Sequence, residues 1–169
     1  AFGRNQIGLT GADELILAIS NGMPLVAIAA DFQKTPCCIF AHESTGIKTP
    51  KDFFGKKLGV RKAMNTEFQY DYLMKVNRLS RGKVLEEPIK FDLTRVREGL
   101  LDMWTSYTTM MPVEAKGLKV TTIPFADYGV ESYGNVIFTT KEFAEKNPEM
   151  LKAFLKAYYR GWAWGMENT

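Results

Sequence analysis

Two hydrophobic rhythms alternate along this chain, and their alternation limits the folds open to it. Short apolar runs at 25–30 and 37–41, and strand-like segments at 57–61, 103–107, 118–123 and 135–139, stand between segments whose apolar residues recur about every 3.6 positions. Contiguous apolar runs of this length fit strands covered on both faces, whereas the longer period fits helices with one buried stripe. Ala12, Leu15, Ile16 and Ile19 predict a first helix, with Asp13 near its start and Gly22 and Pro24 closing it. Thr49-Pro50-Lys51-Asp52 has a cap residue, a first-turn proline and a carboxylate, so it opens a short helix that Gly55 ends. From Thr66, the spacing of Phe68, Tyr72, Leu73, Val76 and Leu79 predicts a helix that stops before Ser80-Arg81-Gly82. Residues 84–91 read as a strand interrupted near Pro88, and Asp92 is placed to cap a brief helix carrying Leu93, Val96 and Leu100. Pro112 opens another short helix ended by Gly117, and 124–134 is a loop with three aromatics. A final helix begins at Asn147-Pro148 and places Leu151, Phe154, Leu155, Tyr158 and Trp162 on one face. Strands and helices alternating through short loops predict an α/β protein with largely parallel sheets.

Several function classes are disfavoured by what the chain carries. The net charge of +3 is spread through interleaved Lys, Arg, Asp and Glu, so no basic stripe offers a footprint for nucleic acid. No apolar run approaches the roughly 20 residues of a membrane-spanning helix. Ala1-Phe2-Gly3-Arg4 lacks the features of a natural beginning, so a targeting segment could precede it. Cys37 and Cys38 are adjacent in an apolar run that would point them to opposite faces, which reads as two buried thiols. With one histidine, His42, and no Cys-x-x-Cys, no metal site is expected, and His42 before the turn-like Glu43-Ser44-Thr45-Gly46 reads as a surface residue. Neither a Gly-x-Ser-x-Gly elbow nor a dinucleotide-binding glycine turn is present, and Gly55-Lys56-Lys57 lacks the glycine and hydroxyl of a phosphate loop. No catalytic residue and no cofactor are assigned.

Ligands of open α/β sheets sit beyond the carboxyl ends of strands, which directs attention to four segments. They are Asp31-Phe32-Gln33, Met64-Asn65-Thr66-Glu67, the stretch 104–109 with Trp104, Tyr107 and Thr108, and the stretch 127–135 with Tyr128, Tyr133 and Asn135. Tyr and Trp offer a flat apolar face and a polar edge, so Trp104, Tyr107, Tyr128 and Tyr133 are placed to sandwich a planar ring, ordinary core or hinge packing being the alternative. Asn65, Thr66 and Glu67 begin a helix, where free N–H groups favour an acceptor. A carboxylate there repels sulfonate or nitrate but could accept from an exocyclic amino group. The plain alternative is that Thr66 caps the helix and Glu67 complements its dipole.

Taken in order, these segments resemble the periplasmic binding proteins of the thiamine-pyrimidine-precursor branch, related more distantly to the nitrate, taurine and alkanesulfonate binders of ABC importers. Residues 46–60, Gly46-Ile47-Lys48-Thr49-Pro50-Lys51-Asp52-Phe53-Phe54-Gly55-Lys56-Lys57-Leu58-Gly59-Val60, resemble the family's I-x-T-P-x-D-L-x-G-K-x-V-G-V stretch. Gly99-Leu100-Leu101-Asp102 followed by Trp104-Thr105-Ser106-Tyr107 resembles its G-x-x-D-A step into a ligand-side strand. Asp127-Tyr128-Gly129-Val130 through Tyr133-Gly134-Asn135 to Phe138-Thr139-Thr140 is similar to the segment returning to the first lobe, and the helix from Asn147-Pro148-Glu149 to Gly161-Trp162 to the one that follows. The resemblance implies a two-lobed, type II-like periplasmic-binding-protein fold with an incomplete first lobe. Residues 1–35 and 131–169 would form part of that lobe, and 36–130 the second. It further implies an extracytoplasmic location, capture of a small planar nitrogen heterocycle without turnover, and an ABC permease and ATPase as partners. The membrane would then be met only through the permease or a lipid anchor outside this chain. A ligand-sensing domain of a signalling protein, a pyrimidine-precursor synthase and a binder of small sulfonates are the other readings this resemblance leaves open.

Overall fold

The computed structural model describes residues 5–90 and 93–168, apart from the Pro112 side chain. The predicted cap at Asp92 and the predicted strand end at Phe91 lie outside the described residues. Two compact units are present: one comprises the chain up to Asp31 together with Asn135 onward, the other Phe32–Gly134.

The first unit contains strand β1 (Ile7–Gly11), helix α1 (Ala12–Ser20) and strand β2 (Leu25–Ala30) from its leading segment. The larger unit then runs through β3 (Cys37–His42), β4 (Lys57–Val60), α2 (Asn65–Val76), β5 (Leu85–Pro88), α3 (Thr94–Arg97), β6 (Met103–Tyr107), α4 (Met111–Glu114) and β7 (Val120–Pro124). The chain returns to the first unit with β8 (Asn135–Thr140), α5 (Lys141–Lys146) and α6 (Pro148–Glu167). In that unit the order is β1-β8-β2, and both pairings are antiparallel. Its small core is Leu15, Leu25 and Val136, flanked by Ala12, Ala18, Ala30 and Phe138. Helix α6 turns Leu151, Leu155 and Tyr158 inward, a narrower stripe than predicted, since Phe154 and Trp162 are exposed. Among the described residues no helix is long and apolar enough to cross a membrane.

The larger unit has a five-stranded sheet in the order β5-β4-β6-β3-β7. β4 pairs in parallel with β5 and β6, whereas β3 runs antiparallel to both β6 and β7. The expectation of largely parallel sheets is therefore corrected. A contiguous apolar run reports burial on both faces and carries no information on strand direction. Strand β3 shows this well: it is central and its first five residues are fully buried. Side chains alternate across it, with Cys37, Ile39 and Ala41 in one core cluster and Cys38 and Phe40 in the other. Both thiols are free and buried, and burial, then Cys37 beside it, pushes the Cys38 thiol far above its ordinary value. This mixed topology puts the carboxyl ends of β4, β5, β6 and β7, and the start of β3, along a single edge of the sheet.

One buried charge ties the sheet to its cover. The Glu114 carboxylate at the end of α4 accepts from Arg61 Nη2 at 2.7 Å, Trp104 Nε1 at 3.0 Å and Ser106 Oγ at 2.6 Å. Arg61 also donates to the Thr105 carbonyl at 2.9 Å. Both members of the ion pair are nearly sealed, with side chains 7% and 6% exposed. Removing either partner leaves an enclosed charge without compensation. Arg61→Met and Glu114→Gln should each lower stability by about 3–5 kcal/mol, and Arg61→Met combined with Glu114→Met should recover part of that loss. Denaturant titration followed by Trp104 fluorescence, with Trp162 and Trp164 changed to Phe, checks this; single variants within about 0.5 kcal/mol of the parent would contradict it.

Candidate functional site

The carboxyl edge of the five-stranded sheet is built around the exit from β4. After Val60 and the anchored Arg61, the chain bends through Ala63, which adopts a left-handed φ of 57°, and extends at Met64 before α2 begins. A left-handed conformation is unfavourable for alanine, and here the Ala63 N–H is held by Glu67 Oε2 at 2.8 Å. Thr66 does not cap the helix. Met64 occupies that position without a side-chain bond, and Glu67 supplies the compensating acceptor.

Helix α2 buries a different face from the one its apolar spacing predicts. Phe68, Tyr72 and Val76 are 44%, 44% and 41% exposed, while Asn65, Thr66 and Gln69 are enclosed beside Tyr70, Leu73 and Met74. Two of these polar side chains, Asn65 and Gln69, enter a connected network at the sheet edge. Cys37 Sγ–H donates to Asn65 Oδ1 at 3.0 Å, and the Tyr107 hydroxyl donates to the same oxygen at 3.3 Å. Thr35, just ahead of β3, donates its hydroxyl to Gln69 Oε1 and accepts the Cys37 N–H at 3.0 Å. The Thr66 hydroxyl and the Gln69 amide nitrogen are enclosed without a hydrogen-bond partner.

In the same unit, a groove of about 510 Å³ is lined by Gln33, Lys34, Ala126, Val130, Glu131, Ser132 and Tyr133. Its size falls in the range of small-molecule sites. Next to Tyr133 in the chain, Gly134 packs tightly: a Cβ there would meet Phe32 Cβ and Pro36 Cδ at 2.7 Å.

The twelve residues singled out from the sequence separate into groups. Asp31 and Asn135 belong to the first unit, where the Asp31 N–H donates to the Asn135 carbonyl at 2.9 Å and the Asp31 carboxylate accepts from Tyr158 at 2.7 Å. In the larger unit Asn65, Thr66 and Tyr107 come together at the sheet edge, with Thr108 next to them and its N–H on the Pro36 carbonyl at 2.8 Å. Gln33 and Tyr133 line the groove, and the Phe32 carbonyl accepts from the Gly134 N–H at 3.1 Å. Tyr128 packs on the core and donates to the Lys48 carbonyl at 3.3 Å. Trp104 is corrected from ligand wall to core: it is fully buried beside Phe40, with ring centroids 5.5 Å apart, and its N–H is engaged by Glu114. Both faces of β6 are covered from Met103 to Ser106, which leaves Trp104 no surface to offer. His42 is half-buried rather than a surface residue, its Nε2 2.9 Å from the Val96 carbonyl and its ring 5.7 Å from Trp104.

Glu67 is occupied within the protein itself. Its carboxylate is committed to Lys62 at 2.8 Å, Arg81 at 3.3 Å and the Ala63 N–H, within a network that includes Glu86. Partial burial pushes the Glu67 carboxyl upward, but the bonds from Lys62, Ala63 and Arg81 outweigh it and hold the group below its ordinary value. Glu86 behaves alike, burial being outweighed by Arg81 and Lys62. Thr35, Cys37 and Gln69 are the members of this candidate site that sequence reasoning missed. The available signal was Gln69 standing three and four positions after Thr66 and Asn65, on the same helical face.

Two α/β units of this construction define the periplasmic-binding-protein fold. The structure is similar to the periplasmic aliphatic sulphonate binding protein SsuA of Escherichia coli, with a TM-score of 0.76 and 19% identity over 92% of this chain and 54% of that one. The whole sequence, residues 1–169, matches the family described as NMT1/THI5 like, and the chain belongs to that family. The alkanesulfonate-binding protein SsuA of Xanthomonas axonopodis pv. citri, bound to MOPS, gives a TM-score of 0.70 at 13% identity, over 92% of this chain and 54% of that one. The riboflavin-binding protein RibY of Chloroflexus aurantiacus is 24% identical over 164 residues, which is 94% of this chain and 46% of that protein. The chain thus spans about half the length of these proteins.

Both carboxylates of the surface network have folded-state pKa values below the ordinary glutamate value of 4.5. Their contribution to stability is therefore complete above about pH 4.5 and lost as pH falls through the depressed folded values. Unfolding free energy measured between pH 6 and pH 2.5 should decline below about 4.5, and Glu86→Gln should make the decline shallower. An identical acid profile in the variant would contradict the assignment.

Proposed function

We propose that this chain is the ligand-holding part of an extracytoplasmic solute-binding protein that captures a small planar nitrogen heterocycle and hands it to an ABC permease and ATPase. In this reading Phe32–Gly134 forms the second lobe and the segments on either side contribute to the first. The observation that carries it is the inverted burial of α2: a helix that encloses Asn65, Thr66 and Gln69 while exposing Phe68, Tyr72 and Val76 gives up packing where strands end, and such local violations mark sites. The groove supplies Tyr133, 52% exposed, as a face for a flat ring, and Tyr107 stands at the polar edge. The similarity to the riboflavin-binding protein RibY supports the ligand class, riboflavin being a planar nitrogen heterocycle. Capture without turnover fits the side chains most able to perform chemistry: both thiols are enclosed and the His42 ring is tied to Val96.

Isothermal titration of the purified protein with lumichrome, 4-aminopyrimidine and MOPS tests the ligand class. A saturable one-to-one isotherm with at least one of the two rings is expected, weakened about fivefold by Tyr133→Ala, the loss of one aromatic contact of about 1 kcal/mol. Binding of MOPS with no heat from either ring would overturn the heterocycle and favour a sulfonate.

A further inference from the structure

Resting on the heterocycle reading, we propose that Gln69 and Thr66 determine specificity by presenting hydrogen-bond donors, so that the captured ring turns a carbonyl-type acceptor edge toward the start of α2. The orientation of the Gln69 amide follows from its neighbours. Thr35 Oγ1 accepts the Cys37 N–H and donates its own proton to Gln69 Oε1. The amide NH2 then points away from Thr35, and its nitrogen is enclosed without an acceptor. Gln69 is 3% exposed, too buried for bulk water to serve in place of a partner. Thr66 lies on the same helical face, 5% exposed, and its hydroxyl is likewise without a partner. It is the second residue of α2, so no helical carbonyl lies four residues before it to accept the bond that serine and threonine make inside helices. Buried donors left unmade are costly, and two on one helix face at the carboxyl edge of a sheet indicate an acceptor that arrives from outside.

The chemistry of the neighbouring acid points the same way. A free carboxylate at the start of α2 would select an amino-bearing ring, but Glu67 is committed to Lys62, Arg81 and the Ala63 N–H. The unpartnered groups left at the start of α2 are the Gln69 amide nitrogen, which can only donate, and the Thr66 hydroxyl, which can donate as well. A ring carbonyl, as in a pyrimidinedione or a flavin, satisfies the Gln69 amide, whereas an exocyclic amino group sets donor against donor there.

The test compares uracil and lumichrome, which carry ring carbonyls, with 4-aminopyrimidine, by isothermal titration on the wild-type protein and on Gln69→Glu. The carbonyl rings should bind the wild type at least about tenfold more tightly, a single buried hydrogen bond's worth of discrimination. Gln69→Glu, which replaces the donor with an acceptor, should reverse the order. In ¹⁵N-labelled wild type the Gln69 side-chain amide resonance should shift on addition of lumichrome, which decides the matter even where Gln69→Glu does not fold. Tighter binding of 4-aminopyrimidine, or ring binding that leaves the Gln69 amide resonance unmoved, overturns the donor assignment while heterocycle capture stands. Absence of binding by all three rings overturns the reading on which it rests.

Discussion

A single carboxylate, Glu114, organises the larger unit. It lies at the end of a one-turn helix and takes donors from Arg61, Trp104 and Ser106, residues at the exit of one strand and along its neighbour. A buried ion pair of this kind contributes little net stability compared with apolar packing, but it penalises any arrangement that separates its members. The consequence is positional. Arg61 is held, the chain beyond it must turn at Ala63 in a left-handed conformation, and α2 starts where its first turn faces the sheet edge. Tyr107, one residue beyond Ser106, is thereby brought to Asn65.

The polar edge is thus assembled from segments distant in sequence, each placed for a separate reason. Thr35 and Cys37 arrive at the start of the central strand, Asn65, Thr66 and Gln69 on the helix that crosses between the parallel pair β4 and β5, and Tyr107 at the end of β6. Their hydrogen bonds run as a chain, Tyr107 to Asn65, Cys37 to Asn65, Cys37 to Thr35 and Thr35 to Gln69. Such chains fix side-chain orientation more sharply than isolated bonds, a prerequisite for reading one edge of a small molecule.

The elements legible in the sequence were those whose local pattern and tertiary environment agree. The helix after Asn147-Pro148 and the strands at 25–30, 37–41 and 103–107 fall where periodicity and proline placement put them. Strand direction was not legible, because two-sided burial gives the same apolar run in parallel and antiparallel neighbours. Strand β1, with two glycines in five residues, has no apolar run to reveal it. At the site, Asn65, Thr66 and Tyr107 were visible as polar groups at predicted strand ends and helix starts. Trp104 misled because aromatic character does not distinguish a wall from a core. Gln69 was hidden because Phe68, Tyr72 and Val76 supply a strong competing period, and the fold overrides it by exposing them. The NMT1/THI5 like family match covers all of these segments, which is why their order carried more information than any one of them.

The claim on which this account turns is spatial: the enclosed polar face of α2 and the strand ends beside it form the surface that reads a ligand. A crystal structure of the protein soaked with lumichrome tests it most directly. The account requires the ring to lie at the carboxyl edge of the five-stranded sheet with an acceptor within hydrogen-bond distance of Gln69 Nε2. An ordered ring bound elsewhere, with Asn65, Thr66 and Gln69 untouched, would contradict it.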